Sequence, residues 1–281
     1  MATDAHLATQ DGFADVTVAA VLDDARAGGA RIYGISGLQG SGKSTLAAQL
    51  VAAAAARGLA AVTLSLDDFY LDHAQRMRLA REVHPLLATR GPPGTHDLAL
   101  ARRTLDGLRA GRAVPLPRFD KRSDDPLPSA QWPLQDRQVD LVFLEGWCLG
   151  VPAQPTSELQ APVNALEREE DAGGHWRSWC NAALAHDYPE LWRRIDRLLF
   201  LQPPDFSIVP EWRWQQERAL HGADARGGMD RAMIGRFVQH YERVSRQALR
   251  CLPRRADAIL PLDRHRHPGA LLVRTGPAAR S

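Results

Sequence analysis

One run in this chain is built to hold an anion. Gly37, Leu38, Gln39, Gly40, Ser41, Gly42, Lys43, Ser44 and Thr45 fit the pattern G-x-x-x-x-G-K-[ST]. They follow an apolar run and open an alanine-rich one, which is the context the pattern requires. Glycines let the backbone wrap a phosphate, so that successive N–H groups and a helix N-terminus face its oxygens. Lys43 is then expected between the β- and γ-phosphates of ATP, and the Ser44 hydroxyl on Mg²⁺. Two further carboxylates end apolar runs. Ser65-Leu-Asp67-Asp68 follows Ala61–Leu64, and Glu145 follows Val139–Leu144. An acid at the carboxyl edge of a sheet can orient an acceptor hydroxyl or support a metal ion. Asp67 is the candidate for the hydroxyl, Asp68 for a cap on the next turn, and Glu145 for Mg²⁺.

These residues need elements to position them. Arg31–Gly37, Ala61–Leu66, Val139–Leu144, Arg197–Leu201 and Ala258–Leu262 read as buried strands. Helical spacing fills 14–28, 43–57, 72–83, 97–111, 174–196, 207–221 and 229–251, with Asp97 as an N-cap and Gly111 as a stop. Between Val114 and Pro133 the Pro, Asp and Arg content predicts a long irregular segment of the functional kind. The alternation predicts an α/β fold of the P-loop NTPase type, a mainly parallel five-stranded sheet with helices on both faces.

The 281 residues carry 35 Lys+Arg against 33 Asp+Glu, a net charge of +2 that argues against nucleic-acid binding by bulk electrostatics. At 44% hydrophobic and 24% charged the chain reads as globular. Cys148, Cys180 and Cys251 lack the spacing of a disulfide framework or a zinc site, and the N-terminus lacks a secretory pattern, so a cytoplasmic protein is expected. The most apolar stretch, 46–66, is interrupted by Gln49, Arg57 and Gly58 and reads as helix then strand, not a membrane span. Only Lys43 and Lys121 are lysines, every other basic residue in that count being arginine. Coding bias accounts for the arginines. A surviving lysine marks a place where a compact ammonium is needed, or chance.

Six ordered blocks carry a resemblance: Ser36–Thr45, Leu64-Ser-Leu-Asp-Asp-Phe-Tyr70, Arg90-Gly-Pro-Pro-Gly-Thr-His-Asp97, Leu116-Pro-Arg-Phe-Asp-Lys121, Leu144-Glu-Gly-Trp147 and Trp212-Arg-Trp-Gln-Gln-Glu217. In these the chain resembles the P-loop, plant-type D-glycerate 3-kinases, within the superfamily of phosphoribulokinase, uridine kinase and pantothenate kinase. The resemblance implies transfer of the ATP γ-phosphoryl group to D-glycerate with Mg²⁺. It implies that Asp67 is the acceptor-hydroxyl base, that Lys43, Ser44, Asp67 and Glu145 form the phosphate and metal group, and that Arg213 is a lid arginine closing over the phosphates.

An anionic acceptor needs cationic partners, and Arg90, His96, Arg118 and Lys121 are the substrate-binding candidates. Arg118 is suited to a bidentate grip and Lys121 to a point charge on carboxylate or γ-phosphate. For these residues ordinary surface charge stays an alternative, and for His96 a buried histidine bonded within its own turn. The stretch Arg122–Pro128 departs from the family's glycine-rich, Gly-Asp-Arg-containing segment, which leaves other small hydroxylated acids and polyols open as acceptors. A related kinase for a nucleoside, pantothenate or a sugar phosphate is the second reading, and an ATP-binding regulator the third.

The expected organisation is an N-terminal helical extension over 1–30 and one kinase domain over 31–281, with an acceptor-binding insertion at 84–135 and a lid-like segment at 205–228. The expected partner is a small molecule, with neither nucleic acid nor membrane. Tryptophans between 170 and 215 read as core, and the acidic run 167–171 as a solvated face. The histidines after the fifth strand do not have the spacing of metal ligands, and their loop lies where P-loop kinases contact the base.

Overall fold

The computed structural model describes residues 12–221 and 229–274; residues 1–11 of the expected extension, 222–228 of the lid-like segment and the tail from 275 lie outside the described residues. Chain order gives α1 (Asp15–Ala27), β1 (Ile32–Gly37), α2 (Lys43–Ala56), β2 (Ala61–Ser65), α3 (His73–Glu82) and α4 (Leu98–Arg109). Two small antiparallel ladders follow, β3 (Val114–Pro115) with β6 (Leu134–Gln135) and β4 (Phe119–Asp120) with β5 (Asp125–Pro126). Then come β7 (Leu141–Gly146), α5 (Ala165–Glu170), α6 (His175–His186), α7 (Pro189–Trp192), β8 (Arg197–Gln202), α8 (Val209–His221), α9 (Arg231–Arg255), β9 (Ala258–Pro261) and β10 (Leu272–Val273).

The main sheet has the order β10-β9-β8-β1-β7-β2. Five of its strands run parallel, as the apolar runs predict. All six residues of β1 and of β7 are buried, the burial expected of strands covered on both faces. The sheet has a sixth strand beyond the expected five, because β10 pairs antiparallel with β9. Two residues long, with both side chains about half exposed, it leaves no apolar run to read.

One core lies on each side of the sheet. Val21, Leu22 and Ala25 of α1 pack with Leu46, Ala47 and Leu50 of α2 against Ile35 and Phe143. On the opposite side Ala101, Leu105 and Leu108 of α4 and Tyr241 and Ala248 of α9 share a core with Ile32 and Leu144. The start of α4 is fixed as its sequence predicts: Asp97 caps it by accepting from the Leu100 N–H (2.8 Å).

Three local outcomes differ from the sequence reading. The helix expected over 174–196 breaks at Asp187 and Tyr188, where Pro189 opens α7 as its first residue. The acidic run is divided between two faces. Glu169 and Glu170 stay exposed, but Glu167 and Asp171 turn inward, Glu167 onto the Arg243 guanidinium (2.6 Å) and Asp171 onto Arg177 (3.0 Å). Of the five tryptophans, Trp176 and Trp212 are core, while Trp179, Trp192 and Trp214 pack against it partly buried.

Candidate active site

Register sets the site. Ile35, Glu145 and Ser65 stand abreast on β1, β7 and β2, so the phosphate loop, Gly146 and Asp67 all emerge from the same sheet edge. The loop turns through Gly40 (φ +76°) and Gly42 (φ +88°), left-handed conformations that a side chain rarely adopts. A Cβ on Gly40 would also lie 2.7 Å from Trp212 Cβ. Lys43 begins α2, and its ammonium donates to Leu38 O (3.1 Å). Burial lowers the Lys43 pKa, and Glu145 and Asp67 oppose that shift. Within the loop the Gln39 side chain and Ser41 Oγ are buried without hydrogen-bond partners. Such atoms carry a desolvation cost, and of them Ser41 Oγ and Gln39 Nε2 are donors of the kind that a phosphate oxygen satisfies.

Ser44 Oγ donates to Glu145 Oε1 at 2.8 Å, joining the loop to β7. A hydroxyl and a carboxylate are hard oxygen donors of the kind Mg²⁺ takes, with the rest of its shell drawn from phosphates and water. Among the described residues there is no group of three or more His, Cys, Asp or Glu placed to hold a metal ion by themselves.

Asp67 lies on the short 3₁₀ turn after β2, capped by the Ser65 hydroxyl (3.2 Å). Its two oxygens are both engaged: Oδ1 accepts from the Tyr70 hydroxyl and Oδ2 from the Lys121 ammonium, each at 2.6 Å. Burial would raise its pKa, but Lys121 and Tyr70 outweigh that and hold the carboxyl at about 2. Asp68 is not the cap expected of it. Ser65 fills that role, and Asp68 accepts from Arg118 Nη1 and from the Phe119 N–H, both at 3.3 Å. Burial raises the Asp68 pKa against the pull of Arg118.

The other expected acceptor residues are drawn into the same wall. Arg118 also donates to Pro117 O (2.8 Å). Arg90 pairs with Asp124 and lies over the Phe119 ring, 5.7 Å from its centroid. Asp124 also takes Arg76 (2.7 Å). His96 is buried, and its bond is not within its own turn: Nδ1 meets the Tyr188 hydroxyl at 2.6 Å, and Nε2 has no partner. That turn is closed by Thr95, which donates to Pro92 O and accepts from Gly91 N. Burial holds His96 at about 4, so the ring is neutral at pH 7. Arg213 sits on α8, paired with Glu217 (2.7 Å) and over the Phe237 ring.

Sequence reasoning missed two contributors. Tyr70, on Asp67, lies inside a quoted block and had a signal. Arg266 lies in the loop after the fifth strand that the sequence set apart, but nothing marked it out within that loop: its guanidinium donates to Gly40 O (2.7 Å) and lies 5.1 Å from the Trp212 ring centroid, tying the loop after β9 to the phosphate loop.

This fold and phosphate loop define an ATP-dependent phosphotransferase of the P-loop kinase class. The chain is 35% identical over 219 residues to the uncharacterized kinase mug58 of Schizosaccharomyces pombe, covering 75% of this chain and 78% of that one. It is 30% identical over 220 residues to the chloroplastic D-glycerate 3-kinase of Arabidopsis thaliana, covering 75% of this chain and 46% of the relative. Its fold matches the solved D-glycerate 3-kinase of Cryptococcus neoformans with a TM-score of 0.76 at 24% identity, over 92% of this chain and 99% of that one. No family model matches. The chain belongs to the P-loop kinase family of these relatives. No described helix is long and apolar enough to cross a membrane.

Proposed function

We propose that the protein transfers the γ-phosphoryl group of ATP to the 3-hydroxyl of D-glycerate, giving 3-phosphoglycerate and ADP. The observation that carries this reading is the Asp67–Lys121 pair beside the phosphate loop, an acid for a hydroxyl with a cation for a carboxylate. The likeness to the Arabidopsis enzyme supports the choice of acceptor.

In this reading the loop N–H groups and Lys43 hold the β- and γ-phosphates, and Ser44 and Glu145 are the residues that would hold Mg²⁺. The ion supplies charge neutralisation on the phosphate oxygens. Asp67 orients the acceptor hydroxyl and takes its proton as the new P–O bond forms and the bond to the β,γ-bridging oxygen breaks. Arg118, Lys121, Arg90 and His96 line the acceptor side, within the insertion 84–135 of a single kinase domain, and Arg213 closes from the lid-like segment. A cytoplasmic location suits this metabolism.

The test is ADP formation with Mg²⁺-ATP and a panel of D-glycerate, uridine, pantothenate and ribulose 5-phosphate. Turnover with D-glycerate well above the acceptor-free rate, with 3-phosphoglycerate as the product, is expected. Equal ADP production with and without every acceptor would sink the kinase reading.

A further inference from the structure

We infer that Lys121 is an exchangeable counter-ion that selects acceptors bearing an anionic group beside the reactive hydroxyl: the anion takes the ammonium from Asp67 and so frees that carboxylate for the hydroxyl. This rests on the proposed role of Asp67.

Both oxygens of Asp67 already accept a short hydrogen bond. Tyr70 is on Oδ1 and Lys121 on Oδ2, so an acceptor hydroxyl competes with one of them for the approach to that oxygen, and the Lys121 charge lowers the basicity of the carboxylate while it stays there. Tyr70 is buried and packed edge-on against Phe119, whereas the Lys121 side chain is 59% exposed. The other cations of the wall each hold more than one contact. Arg118 bonds both Asp68 and Pro117 O, and Arg90 pairs with Asp124 while stacked on Phe119. Among the described residues the hydrogen-bond partner of Lys121 is Asp67. An ammonium on a flexible four-carbon stem can swing between neighbouring anions without moving the backbone.

The exchange favours one acceptor class. A carboxylate replaces the contact that Lys121 gives up, charge for charge, and the ammonium, now on the acceptor, offsets the repulsion between that carboxylate and Asp67. A neutral polyol offers no such replacement, so Oδ2 stays covered. Water is equally unable to displace the ammonium, which protects bound ATP from hydrolysis while no acceptor is present. During transfer the acceptor oxygen bonds the γ-phosphorus as the bridging oxygen leaves with ADP. The hydroxyl proton passes to Asp67, and Lys121 keeps its own protons throughout.

The experiment compares wild type with Lys121→Met and Lys121→Arg, using Mg²⁺-ATP with D-glycerate, with glycerol, and with no acceptor. Glycerol keeps the carbon skeleton and replaces the carboxylate by a hydroxymethyl group. In Lys121→Met the preference for D-glycerate over glycerol in kcat/KM is expected to fall roughly 100-fold, and acceptor-free hydrolysis to rise about tenfold. Lys121→Arg, which keeps the charge, is expected to retain most of the preference, separating loss of charge from loss of fold. Equal losses on both acceptors with unchanged hydrolysis, or no change in any of the three rates, overturns the inference. A wild-type enzyme inactive on D-glycerate refutes the acceptor reading instead, and the hydrolysis comparison then decides the role of Lys121, since it needs no acceptor.

Discussion

Acidification should weaken this fold through one histidine. His96 is 5% exposed, lies beside Tyr70 and Tyr188, and is held at about 4 by burial, with Asp67 pulling the other way. Unfolded, the same ring titrates near 6.5. Between those values the unfolded chain binds more protons than the folded one, so stability is full above about 6.5 and is lost as pH falls toward 4. Integrating the two titrations from pH 7 to pH 5 gives a loss of roughly 2 kcal/mol from His96 alone. The measurement is urea unfolding of wild type and His96→Gln at both pH values. Other groups, including the buried His240, contribute equally to both proteins, so the difference between the two losses isolates His96. Wild type should lose about 2 kcal/mol more than the variant over that interval. Equal losses would refute the assignment of His96 as a buried neutral ring.

Asp67→Asn should retain ATP binding while kcat falls by roughly 10² to 10⁴, the range for loss of a general base; near-normal turnover would remove that role. Gly40→Ala meets both a left-handed φ and the Trp212 contact, so ATP affinity should drop at least about tenfold in a calorimetric titration, with about 1–3 kcal/mol of lost stability. Arg243→Met leaves Glu167 charged and buried, and should cost about 3–5 kcal/mol in urea unfolding; a loss under about 1 kcal/mol would mean that water reaches the carboxylate.

The sheet and the phosphate loop were legible because each rests on local requirements. Buried parallel strands need unbroken apolar runs, and the loop needs glycines at its left-handed positions and lysine at its end. The wall around Asp67 was only partly legible. Its four candidate residues do gather near Asp67, but nothing in sequence says that Arg118 gives its charge to Asp68 or Arg90 to Asp124. Those partners are 50 and 34 residues away. In a chain so rich in arginine, residue type does not mark which guanidinium faces an internal acid. The same limit hid the inward turn of Glu167 and Asp171, whose partners include a guanidinium on α9. Asp68 reads as a cap because an aspartate after a strand commonly is one, whereas Ser65, two residues before Asp67, takes that position first.

The bond from Arg266 to Gly40 spans 226 residues of chain and gives the phosphate loop a place in time. During synthesis β1 and the loop emerge early, yet the neighbours of β1 in the sheet are β7 and β8, and the guanidinium on Gly40 O comes after both. Arg266 thus couples the shape of the phosphate loop to a contact made only at the far end of the sheet's strand sequence, after β9.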